Sequence, residues 1–147
     1  MDSLYEGYLF NNTGAMRHRW TKWQCSIREY PYDRIPPYIS AGAYILSNQL
    51  VKSFAIAAPF VKFIKYDDVF VGILALKFGI QPQHNSNFTV FHSYSPWDNS
   101  IKYMAFHTFN NIQTASIMWN DLLSYMIEKN DISNELFNPL EIEDAHT

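Results

Sequence analysis

The sequence predicts an α/β domain on the strength of three observations. Segments that alternate between apolar and polar residues are interspersed with segments that have helical spacing. Hydrophobic residues make up 48% of the 147 residues and charged residues 17%, which is typical of a chain with a packed core. Proline and glycine separate the segments, as they do between the elements of a folded domain.

Strand character occurs at four places along the chain. Alternation or short apolar runs predict strands at residues 22–27, 61–64, 88–92 and 101–106. Between the first two, three prolines within residues 30–38 exclude a helix and predict a stiff, extended loop. That loop leads into a small-residue stretch where Gly42 suggests a close approach of the backbone to another backbone or to a ligand.

Three helices are predicted, at residues 48–57, 69–78 and 114–129. Ser47 is a favourable N-cap for the first. The second is apolar almost all round, so we expect it to be buried, and Gly79 follows it in the usual position after a helix end. The third shows the strongest helical periodicity in the chain. We therefore expect one domain over residues 1–130 and a polar, acidic tail over residues 131–147.

Charge and motif content exclude several functions. The net charge is −3 and the basic residues form no stripe, so we expect no nucleic-acid partner. A single cysteine, Cys25, permits no internal disulfide and is expected to be a small buried residue. No apolar run is long enough to cross a membrane. The histidines form no zinc-hydrolase motif, and no nucleophile elbow is present.

Two features have both a structural and a functional interpretation. Asp67 and Asp68 lie at the start of the second helix, where a carboxylate can cap the helix and interacts favourably with the helix dipole. One of them is also placed to act as a general base, with a pKa that the helix N-terminus would lower. His107 follows a predicted strand, where site residues collect in α/β folds, but a histidine bonded to the backbone is the more common occurrence.

Several segments occur in an order that resembles the β-1,3-galactosyltransferase family of inverting glycosyltransferases. They are Lys22-Trp23-Gln24-Cys25-Ser26, Glu29-Tyr30-Pro31, residues 36–47, Tyr66-Asp67-Asp68-Val69-Phe70-Val71-Gly72 and Lys77-Phe78-Gly79-Ile80. Towards the end, Phe106-His107-Thr108 and Met118-Trp119 resemble the family's late histidine and its closing helix with tryptophan, a weaker match.

The resemblance implies the C-terminal, acceptor-side half of an A-type glycosyltransferase fold, with an incomplete central sheet. It implies transfer of galactose or N-acetylglucosamine from a UDP-sugar to a glycan hydroxyl, in β-1,3 linkage, with inversion and in protein glycosylation. Asp68 would be the catalytic base, with Asp67 in place of the family's Glu. Asp67, Tyr38, Gly42 and Tyr44 would bind substrate, and His107 would complete a Mn²⁺ site.

The family pattern also has parts that this sequence lacks. The Asp-x-Asp metal motif, the uridine-binding strands and the membrane anchor lie upstream in the family, so we expect them outside this chain. A lumenal location at the Golgi membrane is implied on the same ground. Two alternatives remain: a non-catalytic fragment or carbohydrate-binding remnant that keeps only the acceptor side, and a generic α/β domain.

Overall fold

The sheet is built around a strand near the start of the chain, where Tyr5, Tyr8 and Phe10 favour extended backbone. A computed structural model of the protein describes residues 3–90, 104–106 and 111–128. In it β1 (Tyr5–Phe10) pairs antiparallel with β2 (Tyr38–Leu46) and parallel with β3 (Gln83–His84). The resulting order is β2-β1-β3. A second parallel pair joins β4 (Phe88–Thr89) to β5 (Ala105–Phe106).

Three α-helices accompany these strands in the described part of the chain, so the mixed α/β class is confirmed. Helix α1 spans Asn48–Ala57 and continues into a short 3-10 helix at Ala58–Phe60. Helix α2 spans Asp67–Lys77, and Gly79 lies just beyond it with a φ of 67°, the left-handed conformation expected after a helix end. Helix α3 spans Ile112–Glu128.

The chain divides into two compact units. The described part of one comprises residues 3–90 and 104–106, and that of the other is residues 111–128, which contain α3. The residue before α3 is Asn111, whose side-chain oxygen accepts the Thr114 N–H at 2.8 Å and so acts as the N-cap. None of the helices in these described stretches combines the length and the hydropathy that a bilayer crossing requires.

Helix α2 supplies two separate buried clusters. Leu74 and Ala75 belong to the cluster between α1 and the sheet, together with Tyr5, Ile39, Leu50 and Phe54. Val69 belongs to a smaller cluster with Cys25 and Ile64. The helix is therefore packed inward along much of its length, as predicted. The expectation fails at Leu76, which is 60% exposed and enters neither cluster, although Leu74 and Ala75 of the same turn are buried.

Two glycines let α2 and β1 approach β2 closely. A Cβ at Gly72 would lie 2.6 Å from the Tyr38 Cβ and 3.0 Å from the Pro37 carbonyl oxygen. A Cβ at Gly7 would overlap the Ile39 side chain. Glycine at these positions sets the separation of the elements, because any side chain would force them apart. Neither contact was foreseen; Gly42, where a close approach was predicted, is exposed.

Two predicted strands are wrong. Residues 22–27 are turns and irregular backbone, because the Thr21 carbonyl and hydroxyl accept the N–H groups of Gln24 and Trp23. Residues 61–64 are irregular, since this short connection between the 3-10 helix and α2 has no strand to pair with among the described residues. The strands predicted at residues 88–92 and 101–106 are confirmed at Phe88–Thr89 and Ala105–Phe106. Most of their other residues lie outside the described part of the chain.

The prediction for Ser47 is confirmed in position but not in mechanism. Ser47 precedes α1 with an extended backbone, and its N–H donates to the Leu4 carbonyl at 2.9 Å. Its hydroxyl makes no capping bond and, among the described residues, has no hydrogen-bond partner although it is buried. Ser47 therefore fixes the junction of β2 and α1 through its backbone rather than its side chain.

Candidate active site

A bulge in β2 shapes the site. Gly7 pairs with Tyr44 and Leu9 with Ile39, so that between these pairs β1 advances by two residues and β2 by five. Residues 40–43 of β2, three more than the single β1 residue opposite them, are not paired in the ladder. Bulges re-aim backbone groups and are frequent beside functional sites. The predicted site residue Gly42 lies in this bulge and lines a shallow surface pocket with Tyr8 and Phe88.

Asp68 lies in the first turn of α2 and is half-buried. Its Oδ1 accepts the N–H of Val69 at 2.8 Å, and the carboxylate also accepts the N–H of Ala41 from the bulge. Neither Asp67 nor Asp68 is the N-cap, since that position belongs to Tyr66, which makes no side-chain capping bond. One carboxylate therefore joins the head of α2 to the bulge of β2.

The pKa of Asp68 is raised, which is opposite to the direction that the helix position alone predicted. Burial is the largest cause, because it removes the charged carboxylate from water. The N–H groups of Val69 and Ala41 lower the pKa, as a helix N-terminus should, but burial and the charge of Asp67 outweigh them. A raised pKa makes Asp68 a stronger proton acceptor than an ordinary exposed aspartate.

The tyrosines of β2 lie close to the two carboxylates. The pKa of Tyr38 is raised first by burial and then by the charge of Asp68. The pKa of Tyr44 is raised by burial and by the charges of both Asp67 and Asp68. The structure thus brings Tyr38, Tyr44, Asp67 and Asp68 into one neighbourhood, in which Asp67 is exposed while the other three are half-buried.

Tyr5 supports this group from β1 and was missed by the sequence analysis. It is fully buried, its hydroxyl accepts the Ile39 N–H at 3.0 Å, and its ring meets that of Tyr44 edge-on at 6.1 Å. Burial raises the pKa of Tyr5 to about 12. The alternation along β1 is the sequence signal that could have identified Tyr5. Tyr5 and Gly7 are buried, while the polar residue between them, Glu6, is not.

Arg17 holds the proline-rich loop that precedes β2. Its guanidinium donates to the carbonyl oxygens of Cys25 and Tyr30, each at 2.9 Å, and of Tyr32 at 2.7 Å. Two of these carbonyls lie in the loop and the third, of Cys25, lies before it, so one planar donor group ties the loop to the preceding segment. The loop is non-helical, as its prolines predict, with bends at residues 32 and 33, and the predicted burial of Cys25 is confirmed, since it is 1% exposed.

The proposed metal ligand His107 lies outside the described residues. Within residues 3–90, 104–106 and 111–128, no three histidine, cysteine or carboxylate side chains are grouped so as to hold a metal ion. The described residues therefore do not by themselves form a Mn²⁺ site.

Comparison with known proteins identifies the family. A family model described as Galactosyltransferase matches residues 1–86. The chain belongs to the galactosyltransferase family. This galactosyltransferase-family chain is 38% identical over 123 residues to beta-1,3-galactosyltransferase brn of Drosophila melanogaster. The match spans 82% of this chain and 37% of that protein.

Two further relatives carry the same description. The chain is 37% identical over 101 residues to beta-1,3-galactosyltransferase bre-5 of Caenorhabditis elegans. The match spans 67% of this chain and 31% of that protein. The chain is 35% identical over 80 residues to beta-1,3-galactosyltransferase 5 of Mus musculus. That match spans 54% of this chain and 26% of the mouse protein. This member of the family spans about a third of the length of the curated relatives it matches. Every predicted site residue except His107 falls within the family match.

Proposed function

We propose that this chain carries the acceptor side of a β-1,3-galactosyltransferase-like enzyme, with Asp68 as the base that activates a glycan hydroxyl. The observation that supports it is the position of Asp68. A half-buried carboxylate with a raised pKa lies at the junction of α2 and the bulge of β2, beside Tyr38 and Tyr44. Carboxylates whose pKa is perturbed by burial and by a charged neighbour are frequent at catalytic sites.

The chemistry needs one proton acceptor and a fixed acceptor oxygen. In transfer with inversion, Asp68 accepts the proton of the acceptor hydroxyl while that oxygen forms a bond to the anomeric carbon. The bond from this carbon to UDP breaks on the opposite face, and UDP leaves with its electron pair. A carboxylate has about four lone-pair positions, so the N–H groups of Val69 and Ala41 leave capacity for the hydroxyl.

Burial and backbone contacts prepare Asp68 for this step. The two N–H groups hold the carboxylate in one orientation, so little reorganisation accompanies the proton transfer. The exposed Asp67, close to Tyr44, is placed to meet sugar hydroxyls rather than to take the proton. Tyr38 and Tyr44 offer ring faces and hydroxyls, a combination suited to a ligand with both C–H and O–H groups.

Finer parts of the proposal come from the family resemblance. The donor is UDP-galactose or UDP-N-acetylglucosamine, the fold is of the A type, and the transfer inverts the anomeric centre in protein glycosylation. Mn²⁺ would neutralise the leaving diphosphate, with His107 among its ligands and carboxylates supplied from outside this sequence. The same resemblance proposes a lumenal site of action at the Golgi membrane.

A non-catalytic role is the second candidate, favoured by one observation. Asp68 bonds backbone N–H groups on two elements, and a carboxylate can be retained for that bridging alone. In that case the chain would bind glycans without transferring sugar. Substitution with Asn separates the two candidates, because an amide oxygen can still accept a backbone N–H but cannot act as the base.

The decisive comparison is Asp68→Asn against Asp67→Asn in the full-length protein. Both are assayed with UDP-galactose and UDP-N-acetylglucosamine against a panel of glycan acceptors, and both are checked by thermal unfolding. We expect Asp68→Asn to lower kcat by at least about 100-fold with little change in Tm, because general-base catalysis contributes about 10²–10⁴-fold. Asp67→Asn should keep most of the rate. Equal rates in both variants would refute the assignment of the base.

A further inference from the structure

We propose that Tyr5 is a positioning residue for the base: its hydroxyl holds the bulge of β2 so that the Ala41 N–H points at the Asp68 carboxylate. This inference rests on the proposed function, in which Asp68 takes the acceptor proton. It goes further by assigning the orientation of that carboxylate to a fully buried side chain on another element of the fold.

The first observation is that Tyr5 contacts both ends of the bulge. Ile39 and Tyr44 are the paired residues of β2 on either side of residues 40–43, which are not paired in the ladder. The Tyr5 hydroxyl accepts the Ile39 N–H at 3.0 Å, and the Tyr5 ring meets the Tyr44 ring edge-on. One side chain of β1 therefore holds the chain where it enters the bulge and where it leaves it.

The second observation is that these contacts are buried. Tyr5 and Ile39 are both 0% exposed and belong to one apolar cluster with Leu50 and Phe54 of α1. A buried N–H that loses its acceptor has no water to replace it, so the bond between Tyr5 and Ile39 is costly to break. The bond therefore keeps Ile39 in one position.

The third observation concerns Ala41, which lies two residues after Ile39. Its N–H donates to the Asp68 carboxylate, although Ala41 itself is exposed. Packing of an exposed methyl group does not fix the direction of that N–H. The direction depends on the backbone at the ends of the bulge, and Tyr5 holds that backbone.

Loss of the Tyr5 hydroxyl has a predictable effect on the base. The N–H groups of Val69 and Ala41 lower the pKa of Asp68, against the larger effect of burial. Tyr5→Phe keeps the ring, and with it the burial, but releases the backbone that aims the Ala41 N–H. The pKa of Asp68 should therefore rise further in this variant.

Other titratable groups also face Asp68. Asp67 on α2 and Tyr44 and Tyr38 on β2 interact with its charge, and so does Tyr5 on β1. Tyr5→Phe leaves the first three in place. Burial raises the pKa of Tyr5 to about 12, so its hydroxyl stays protonated through the acidic range and does not itself produce an acidic limb.

The test is the pH profile of kcat/KM in the full-length protein, for wild type, Tyr5→Phe and Phe54→Leu. We expect Tyr5→Phe to move the acidic limb upward by about 0.5–1 pH unit and to lower kcat on the plateau by about tenfold. Phe54→Leu shrinks another ring of the same buried cluster, so it should lower Tm and leave the limb at its wild-type pH. An unmoved limb in Tyr5→Phe, or an equal movement in Phe54→Leu, would overturn the proposal.

A second variant tests the route through Ala41. Ala41→Pro removes the N–H that Asp68 accepts, in a bulge where proline is tolerated. It should move the acidic limb upward by at least as much as Tyr5→Phe. The double variant should match Ala41→Pro, because the same hydrogen bond is lost only once. Shifts that add in the double variant would overturn this route.

A direct titration separates this proposal from the proposed function. The Asp68 carboxyl is titrated by NMR in protein labelled with ¹³C-aspartate, and its signal is assigned by its loss in Asp68→Asn. If wild type transfers no sugar, the proposed function fails, whereas a higher Asp68 pKa in Tyr5→Phe than in wild type still supports the role of Tyr5. The same pKa in both proteins would overturn that role.

Discussion

Replacing Gly72 with alanine tests how closely α2 must pack on β2. The added Cβ would lie 2.6 Å from the Tyr38 Cβ, 3.0 Å from the Pro37 carbonyl oxygen and 3.2 Å from the Tyr38 Cα. These neighbours are backbone atoms or lie next to the backbone, so they cannot move aside by a side-chain rotation. The helix itself must shift.

The magnitude follows from two opposing effects. Overpacking a close contact costs about 1–3 kcal/mol, and the upper part of that range applies where the backbone must move. Alanine gains about 1 kcal/mol over glycine inside a helix. We therefore expect Gly72→Ala to lower the free energy of unfolding by about 1–2 kcal/mol, which corresponds to a fall in Tm of roughly 3–8 °C for a domain of this size.

The assay is urea and thermal unfolding, with Gly14→Ala as the matched control. A Cβ at Gly14 would meet only the Asp33 carbonyl oxygen, at 3.9 Å, so that variant should unfold like wild type. Because a shift of α2 also moves Asp68 away from the Ala41 N–H, the transfer rate should fall together with stability. A Gly72→Ala protein as stable as wild type would refute the close packing of α2 on β2.

Two further substitutions test the supports of the site. Tyr5→Phe removes the acceptor of the buried Ile39 N–H and should lower the free energy of unfolding by about 1–3 kcal/mol, measured by urea titration. The control is Tyr32→Phe, which changes an exposed ring. Arg17→Ala releases the carbonyls of Cys25, Tyr30 and Tyr32 and should speed alkylation of the buried Cys25 by at least about tenfold, with Arg17→Lys intermediate. Peptide mass spectrometry measures the rate of alkylation. Wild-type stability in Tyr5→Phe, or wild-type alkylation in Arg17→Ala, would contradict these roles.

Local signals predicted the helices well. Proline, glycine and a polar N-terminal residue bracket α1 and α2, and these signals act within a few residues, so the helices were found to within about two residues of their ends. The strands were harder to predict. Residues 22–27 alternate like a strand, but Thr21 turns the chain, and pairing depends on a distant partner that local sequence does not reveal.

The site could be predicted only in part. Asp68, Tyr38 and Tyr44 were identified through the family resemblance, and the structure brings them together. The predicted direction of the Asp68 pKa shift was wrong, because the helix position is visible in the sequence while the degree of burial is not. The bulge that brings Ala41 to Asp68 depends on the register between β1 and β2, which is a property of the assembled sheet.

The pH dependence of transfer tests the role of Asp68 most directly. The base must be ionised to accept a proton, so kcat/KM should fall as the pH drops through the pKa of Asp68 in the free enzyme. Because burial raises that pKa, the acidic limb should lie above the usual range of an aspartate. A rate that stays constant through the acidic range, or that falls only at the ordinary aspartate pKa, would contradict the proposal that this half-buried carboxylate is the base.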